Sequence, residues 1–356
     1  MVDPIFNMFK IKFDILDSWK ALKGVTKARI YISLETVLKV LYSERLNNFL
    51  VASGDKTDTQ RCFVSNIINL AQHYRLYCAK HRIENEIYLY WNYPYRLDFI
   101  NKKYNNEYRS YYCNKMHHND SCYYISEVMD SIIDQLKTII KYVNQVYLVT
   151  STEVESSVIP YIIYRDQKDD TIKNIIVSNS KYDFQYISYG FDIWIPDRDD
   201  SLLLNNDNVI EYLKERNHVS TQETVPINYI AFIVSLLGDR YRNIQKMIGV
   251  GLSRIIKMIN QGLKQLIITE NTTNIDLLAS CIKDEYKEIF KNNYHCTNLA
   301  YQYEDISGSI ERSILDQIED KYDDNALQYL NDKYFKEHLI MMIDTKRDQI
   351  YHSMMY

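Results

Sequence analysis

The feature that most constrains this chain is an alternation of short apolar runs with helical patterns from Arg29 to Ile195, which ceases after Pro226. Ile30 to Ile32, Ile87 to Trp91, Val146 to Val149, Asn174 to Val177 and Phe191 to Ile195 read as strands. Helical patterns lie between them: Leu34, Val37, Leu38, Val40 and Leu41, then about Val64 to Ala79, then about Ser126 to Tyr142. Val158 to Tyr164 fits a short helix or a short strand. Strands separated by helices call for an α/β fold with a mainly parallel central sheet covered on both faces. From Pro226 the pattern turns helical throughout, near Ile227–Leu237, Leu252–Leu266, Ile275–Phe290, Ile310–Ile318 and Ala326–Ile343.

Length and composition are compatible with such a fold. The 356 residues are 46% hydrophobic and 25% charged, enough for a packed core and too apolar for global disorder. Only 8 Gly and 5 Pro stand against 33 Tyr, a bias that points to an AT-rich genome such as a phage's or a large DNA virus's. The 6 Cys form no CxxC pair, so reduced thiols are expected. No apolar run is long enough to span a bilayer and Met1 to Asp14 lacks a secretory core, so a cytoplasmic or virion protein without a membrane partner is expected.

Charge is unevenly spread. Residues 239–264 hold six Lys/Arg and one Asp, whereas residues 301–356 hold twelve Asp/Glu and six Lys/Arg. The basic stretch contains Leu237-Gly238-Asp239-Arg240-Tyr241-Arg242-Asn243-Ile244, followed by Met247-Ile248-Gly249-Val250-Gly251. Gly249 and Gly251, lacking Cβ atoms, let the backbone approach a phosphate. The helix starting near Leu252 offers unpaired N–H groups and a positive dipole end. Lys246, Ser253, Arg254 and Lys257 add charge and donors suited to a nucleic-acid backbone rather than to bases. Gly-x-Gly alone is more often a tight interhelical turn.

In this context the segment resembles the helix–three-turn–helix element of flap endonucleases and phage-type 5′–3′ exonucleases, with their PIN-like fold. The resemblance covers about Arg29 to Gln261. It rests also on Tyr31-Ile32-Ser33 and Tyr88-Leu89-Tyr90-Trp91-Asn92 at the first two strand ends, and on Tyr108-Arg109 as a basic element. Val154-Glu155-Ser156-Ser157-Val158-Ile159 and Ile176-Val177-Ser178-Asn179-Ser180-Lys181-Tyr182-Asp183-Phe184-Gln185 complete the order, the latter one residue longer than the family pattern. The resemblance implies four regions: an extension over 1–28, a nuclease-fold domain over 29–224, a DNA-binding element over 225–266 and an acidic helical region over 267–356. It also implies duplex or branched DNA as partner, Mg²⁺ as the cofactor of an active member, and a monovalent cation at the hairpin.

Against that pattern the carboxylates are depleted. Ser33, Asn92, Ser156, Ser157 and Ser180 stand where the family carries acids, and Arg242 replaces another. Asp183 and Asp239 keep family positions as candidate metal ligands; Glu35, Glu153 and Glu155 would contribute only by a shift of register. Two-metal hydrolysis needs clustered anionic oxygens, so the expectation is a pseudonuclease that binds nucleic acid. Two alternatives stay open: an active Mg²⁺-dependent 5′ nuclease using Glu35, Glu155, Asp183 and Asp239, and a structural or assembly protein of a viral particle or polymerase complex.

Three weaker constellations remain. Cys113, His117, His118 and Cys122 offer zinc-type ligands without the usual pair spacing, and a solvated loop reads as well. The tyrosines from Tyr88 to Tyr112, interleaved with Arg96, Lys102, Lys103 and Arg109, suit either base stacking or packing. The acidic C-terminal helices carry apolar stripes that would dock on the domain or meet a protein partner.

Overall fold

The structure, a computed structural model, describes residues 22–41, 64, 67–68, 70–71, 74–92, 132–140, 143, 145–196, 202–238, 244–261 and 275–319. Six strands form one sheet in the order β3-β2-β1-β4-β5-β6: β1 (Lys27–Ser33), β2 (Glu84–Asn92), β3 (Val146–Ser151), β4 (Lys173–Val177), β5 (Asp192–Ile195) and β6 (Leu202–Leu204). The first five are parallel and β6 adds antiparallel to β5. The expected strands are thus adjacent and parallel, and β6 is an edge strand that its three leucines did not announce.

Both faces of the sheet are buried, which is why the strands read as unbroken apolar runs. Ile30, Ile32, Ile87, Leu89, Trp91, Ile175 and Val177 pack on one side against Leu34 and Val37 of α1 (Leu34–Leu41) and against helical residues 74–80 and 132–140. Tyr31, Tyr88, Tyr90, Val149, Ile176 and Ile193 face the other side. There Tyr31 pairs in register with Tyr88, and Tyr88 with Tyr147. Their rings stack across the strands with centroids 5.1 and 4.9 Å apart. Burial drives the Tyr31 and Tyr88 hydroxyls far above the usual phenol range. These tyrosines are core.

The second face carries α2 (Ile159–Asp166), α3 (Val209–Arg216), α4 (Ile230–Leu237), α5 (Leu252–Gln261), α6 (Ile275–Ser280), α7 (Asp284–Thr297), α8 (Leu299–Glu304) and α9 (Gly308–Glu319). Val158–Tyr164 is therefore helical. The single helix expected near Ile275–Phe290 is instead two, α6 and α7, parted at residues 281–283. Nothing there is a helix breaker; the break lets Ile282 turn into the core at 4% exposure. One apolar cluster runs from Tyr31 through α4 and α5 to Ile314, Leu315 and Ile318 of α9. The expected helix over Ala326–Ile343 lies outside the described residues. Among the described residues no helix is long and apolar enough to cross a membrane.

Helix α9 protects a sheet edge. Gln317 Oε1 accepts from Thr150 N at 2.9 Å and Thr150 Oγ1 at 3.2 Å, while Gln317 Nε2 donates to Thr150 O at 2.9 Å. The side-chain amide thus pairs with edge strand β3 as a neighbouring strand would. Gln317→Ala is expected to lower stability by about 1–2 kcal/mol, read as a shift of the urea midpoint with unchanged m.

Candidate active-site crevice and hairpin

Side chains alternate along a strand, so Ser33 shares a face with Tyr31, Asn92 with Tyr90, Ser151 with Val149, and Ser178 with Ile176. All four lie at the carboxyl ends of adjacent parallel strands. Asn92 is opposite Ser151, Ser33 is opposite Tyr90, and Ile32 is opposite Val177, the residue before Ser178. The chain runs from β1 outward through β2 to β3, then returns across the sheet to β4 and β5. In open α/β sheets the ligand crevice lies beyond the strand ends at such a reversal. Here it falls between β1 and β4, at Ser33 and Ser178.

Local and long-range hydrogen bonds engage these hydroxyls. Ser33 Oγ caps α1 by accepting from Thr36 N at 3.2 Å. Ser151 Oγ accepts from Glu153 N at 3.0 Å and Val154 N at 3.2 Å. Ser178, fully buried, donates to the Asp183 carboxylate and accepts from Ser180 N at 3.0 Å. Its oxygen lies 3.4 Å from Thr36 Oγ1, which donates to Asn179 Oδ1 and accepts from Asn179 N, both at 3.1 Å. Asn92 is 4% exposed and its buried Nδ2 meets no acceptor among the described residues.

The chain leaves the sheet at Val177, so Ser178–Gln185 is not strand but a turn leading into the 3-10 helix Asp183–Tyr189. Gln185 anchors that helix. Its Nε2 donates to Tyr182 O at 3.0 Å and Thr297 O at 2.7 Å, and its Oε1 accepts from Leu299 N at 3.3 Å. Lys181 donates to Gly238 O and ties this turn to the end of α4. Sequence reasoning missed Lys181, Thr36 and Asn179; the only signal for Lys181 was its place in the segment that runs one residue long.

Of the candidate carboxylates, Asp183 is fully buried and accepts from Ser178 just beyond the end of β4. Glu155 is buried just before the 3-10 helix Ser156–Val158, and Glu35 is partly buried in the first turn of α1. Ser156 and Ser157 are buried too, and Ser157 O accepts from Tyr186 OH at 2.5 Å. Among the described residues no three His, Cys, Asp or Glu side chains come together as a ligand group. Divalent ions of the Mg²⁺ type require several anionic oxygens. The row Ser33–Asn92–Ser151–Ser178 supplies neutral groups, so these four residues by themselves do not make up a two-metal ligand set. Asp239 and Arg242, with the rest of 239–243, lie outside the described residues. So do Arg109, the tyrosine-rich stretch beyond Asn92, and Cys113, His117, His118 and Cys122.

The hairpin follows α4. Asn293 Nδ2, from α7, donates to Ser235 O at 3.0 Å and Gln245 O at 2.7 Å, and Met247 N donates to Leu236 O at 3.3 Å. Ile244, Met247, Val250 and Leu252 are buried, while Lys246, Arg254 and Lys257 are exposed and Ser253 is half-buried. A Cβ at Gly249 or Gly251 would meet nothing within 4 Å, so the backbone there is open to approach. Gly251 O accepts from Arg254 N at 3.0 Å and Ile255 N at 3.1 Å, opening α5. The N–H groups of Leu252 and Ser253, in its first turn, have no intrahelical acceptor. Arg254 Nη1 lies 3.4 Å from Gly249 O.

No protein-family model and no curated protein sequence matches the chain. Solved structures do. A single-substitution pseudo-enzyme variant of the bacteriophage T5 flap endonuclease, in a product complex with DNA and metal ions, aligns with a TM-score of 0.50. That alignment has 14% identity and covers 82% of this chain and 98% of that one. T5 5′-exonuclease with bound zinc aligns at 0.47, with 13% identity over 82% and 98%. The catalytic core of Rad2 with DNA substrate aligns at 0.42, with 12% identity over 90% and 95%. Of these three the first reaches 0.5, and at its identity it establishes the fold: the chain has the α/β fold of the 5′-exonucleases and flap endonucleases.

Proposed function

We propose that this protein is a divergent, catalytically degenerate relative of the flap endonucleases that binds duplex or branched DNA through its hairpin and does not cut it. The observation that carries the reading is the neutral row at the strand ends. Ser33, Asn92, Ser151 and Ser178 are neutral at the carboxyl ends of four adjacent strands, and Asp183 beside them is held by the Ser178 hydroxyl. The hairpin, by contrast, keeps what phosphate binding asks for: two open glycines, the free end of α5, and exposed Lys246, Arg254 and Lys257. The T5 neighbour, a single-substitution pseudo-enzyme variant in a complex with DNA and metal ions, supports a DNA-holding role for this fold.

The test is a 5′-flap substrate offered in Mg²⁺ and in Mn²⁺, with binding and cleavage followed together. Binding without cleavage supports the reading. Failure to bind duplex or flap DNA even at low salt would favour the structural or assembly role instead.

A further inference from the structure

We propose that Ile248, at the tip of the hairpin, packs on the sugar face of bound DNA and makes the hairpin prefer a deoxyribose backbone to a ribose one. The inference rests on the DNA-binding reading above.

Ile248 is 73% exposed, whereas the other exposed large apolar side chains among the described residues, Leu76, Leu202 and Leu277, are at 39%, 37% and 41%. The local conformation asks for nothing apolar there. Val250 N donates to Met247 O at 3.2 Å, closing a four-residue turn with Ile248 second and Gly249, at φ +70°, third. Glycine with positive φ at the third place marks a type II turn, whose second place suits proline and tolerates most residues. The side chain is nevertheless presented at a fixed point. Met247 and Val250, on either side, are buried at 2% and 7%, and Met247 N is bonded to α4.

Its surroundings identify what covers it. Lys246, Arg254 and Lys257 are exposed nearby along the same hairpin and helix, and the glycine backbone beside it is open. A loop that seats phosphates lies along the sugar–phosphate chain, so an exposed apolar side chain on that loop meets the sugars that flank those phosphates. Deoxyribose offers an apolar C2′ methylene. Ribose offers a hydroxyl, which isoleucine would desolvate without a hydrogen bond in return.

The experiment uses fluorescence anisotropy in EDTA on a DNA duplex and an RNA duplex of the same sequence, over a series of salt concentrations. Wild type is expected to bind DNA more tightly. Ile248→Ser is expected to weaken DNA binding about five- to tenfold and to leave RNA binding equal or tighter, since the ribose hydroxyl is no longer desolvated. Any preference arising from helix form alone would survive in that variant. The slope of log affinity against log salt should not change, because Ile248 neutralises no phosphate. Ile248→Val should keep most of the preference, and both variants should melt like wild type. Unchanged DNA affinity, an equal loss on both duplexes, or an altered salt slope would overturn the inference. Wild type binding neither duplex would bring down the DNA-binding reading itself, and this inference with it.

Discussion

Gly238→Ala is expected to unmake the hairpin and to lower the stability of the chain by at least about 3 kcal/mol. Gly238 ends α4 at φ +63° and ψ 176°, a region essentially reserved for glycine. A Cβ there would stand 2.5 Å from Lys246 N and 2.7 Å from Ile244 O. Both are backbone atoms, so no rotamer change relieves the overlap, and the returning strand of the hairpin must move. That movement would break the Met247 N to Leu236 O bond and pull Gln245 O away from Asn293. Urea denaturation should show the loss, and duplex affinity should fall with it. Gly251→Ala is the control. Its Cβ would meet open space, so folding should survive while the approach of a phosphate is hindered.

Lys246→Glu combined with Arg254→Glu is expected to weaken duplex binding about a hundredfold at low salt and to flatten the salt slope by about two, one for each phosphate no longer neutralised. Both residues are exposed, so the fold should be untouched. The loss should be nearly the same for every duplex sequence, because these groups meet the backbone and not the bases. A double variant that binds as well as wild type would reduce the hairpin to an interhelical turn. The DNA would then be held elsewhere, the tyrosine-rich stretch beyond Asn92 being the next place to look.

The architecture was largely legible because it is written in local patterns. Ile30, Ile87, Val146 and Ile175 announce strands buried on both faces, and the helical region after Pro226 follows from its periodicity. Elements without such a signal escaped: β6 is three leucines long, and α6 and α7 are divided where the sequence carries neither glycine nor proline. The strand-end residues Ser33 and Asn92 were singled out by their order along the chain, and Ser178 only as part of the segment that carries Asp183. What they do was not legible, because it depends on partners far away in sequence. Thr36 meets Ser178 and Asn179 across more than 140 residues, and Gln185 meets Thr297 and Leu299 across more than 110. Lys181 reaches Gly238 in the same way. No periodicity records such pairings; only the closed fold does.

The central proposal is that neutral side chains, Ser33, Asn92, Ser156, Ser157 and Ser180, stand where an active member of this fold would carry anionic metal ligands. Cleavage of a 5′-flap DNA tests it most directly, measured over a titration of Mg²⁺ and of Mn²⁺ with wild type and Asp183→Ala side by side. The expected result is that both proteins bind the flap and neither releases product above background at any metal concentration. Metal-dependent cleavage by wild type that Asp183→Ala abolishes would contradict the claim and show that the remaining carboxylates still assemble a working centre.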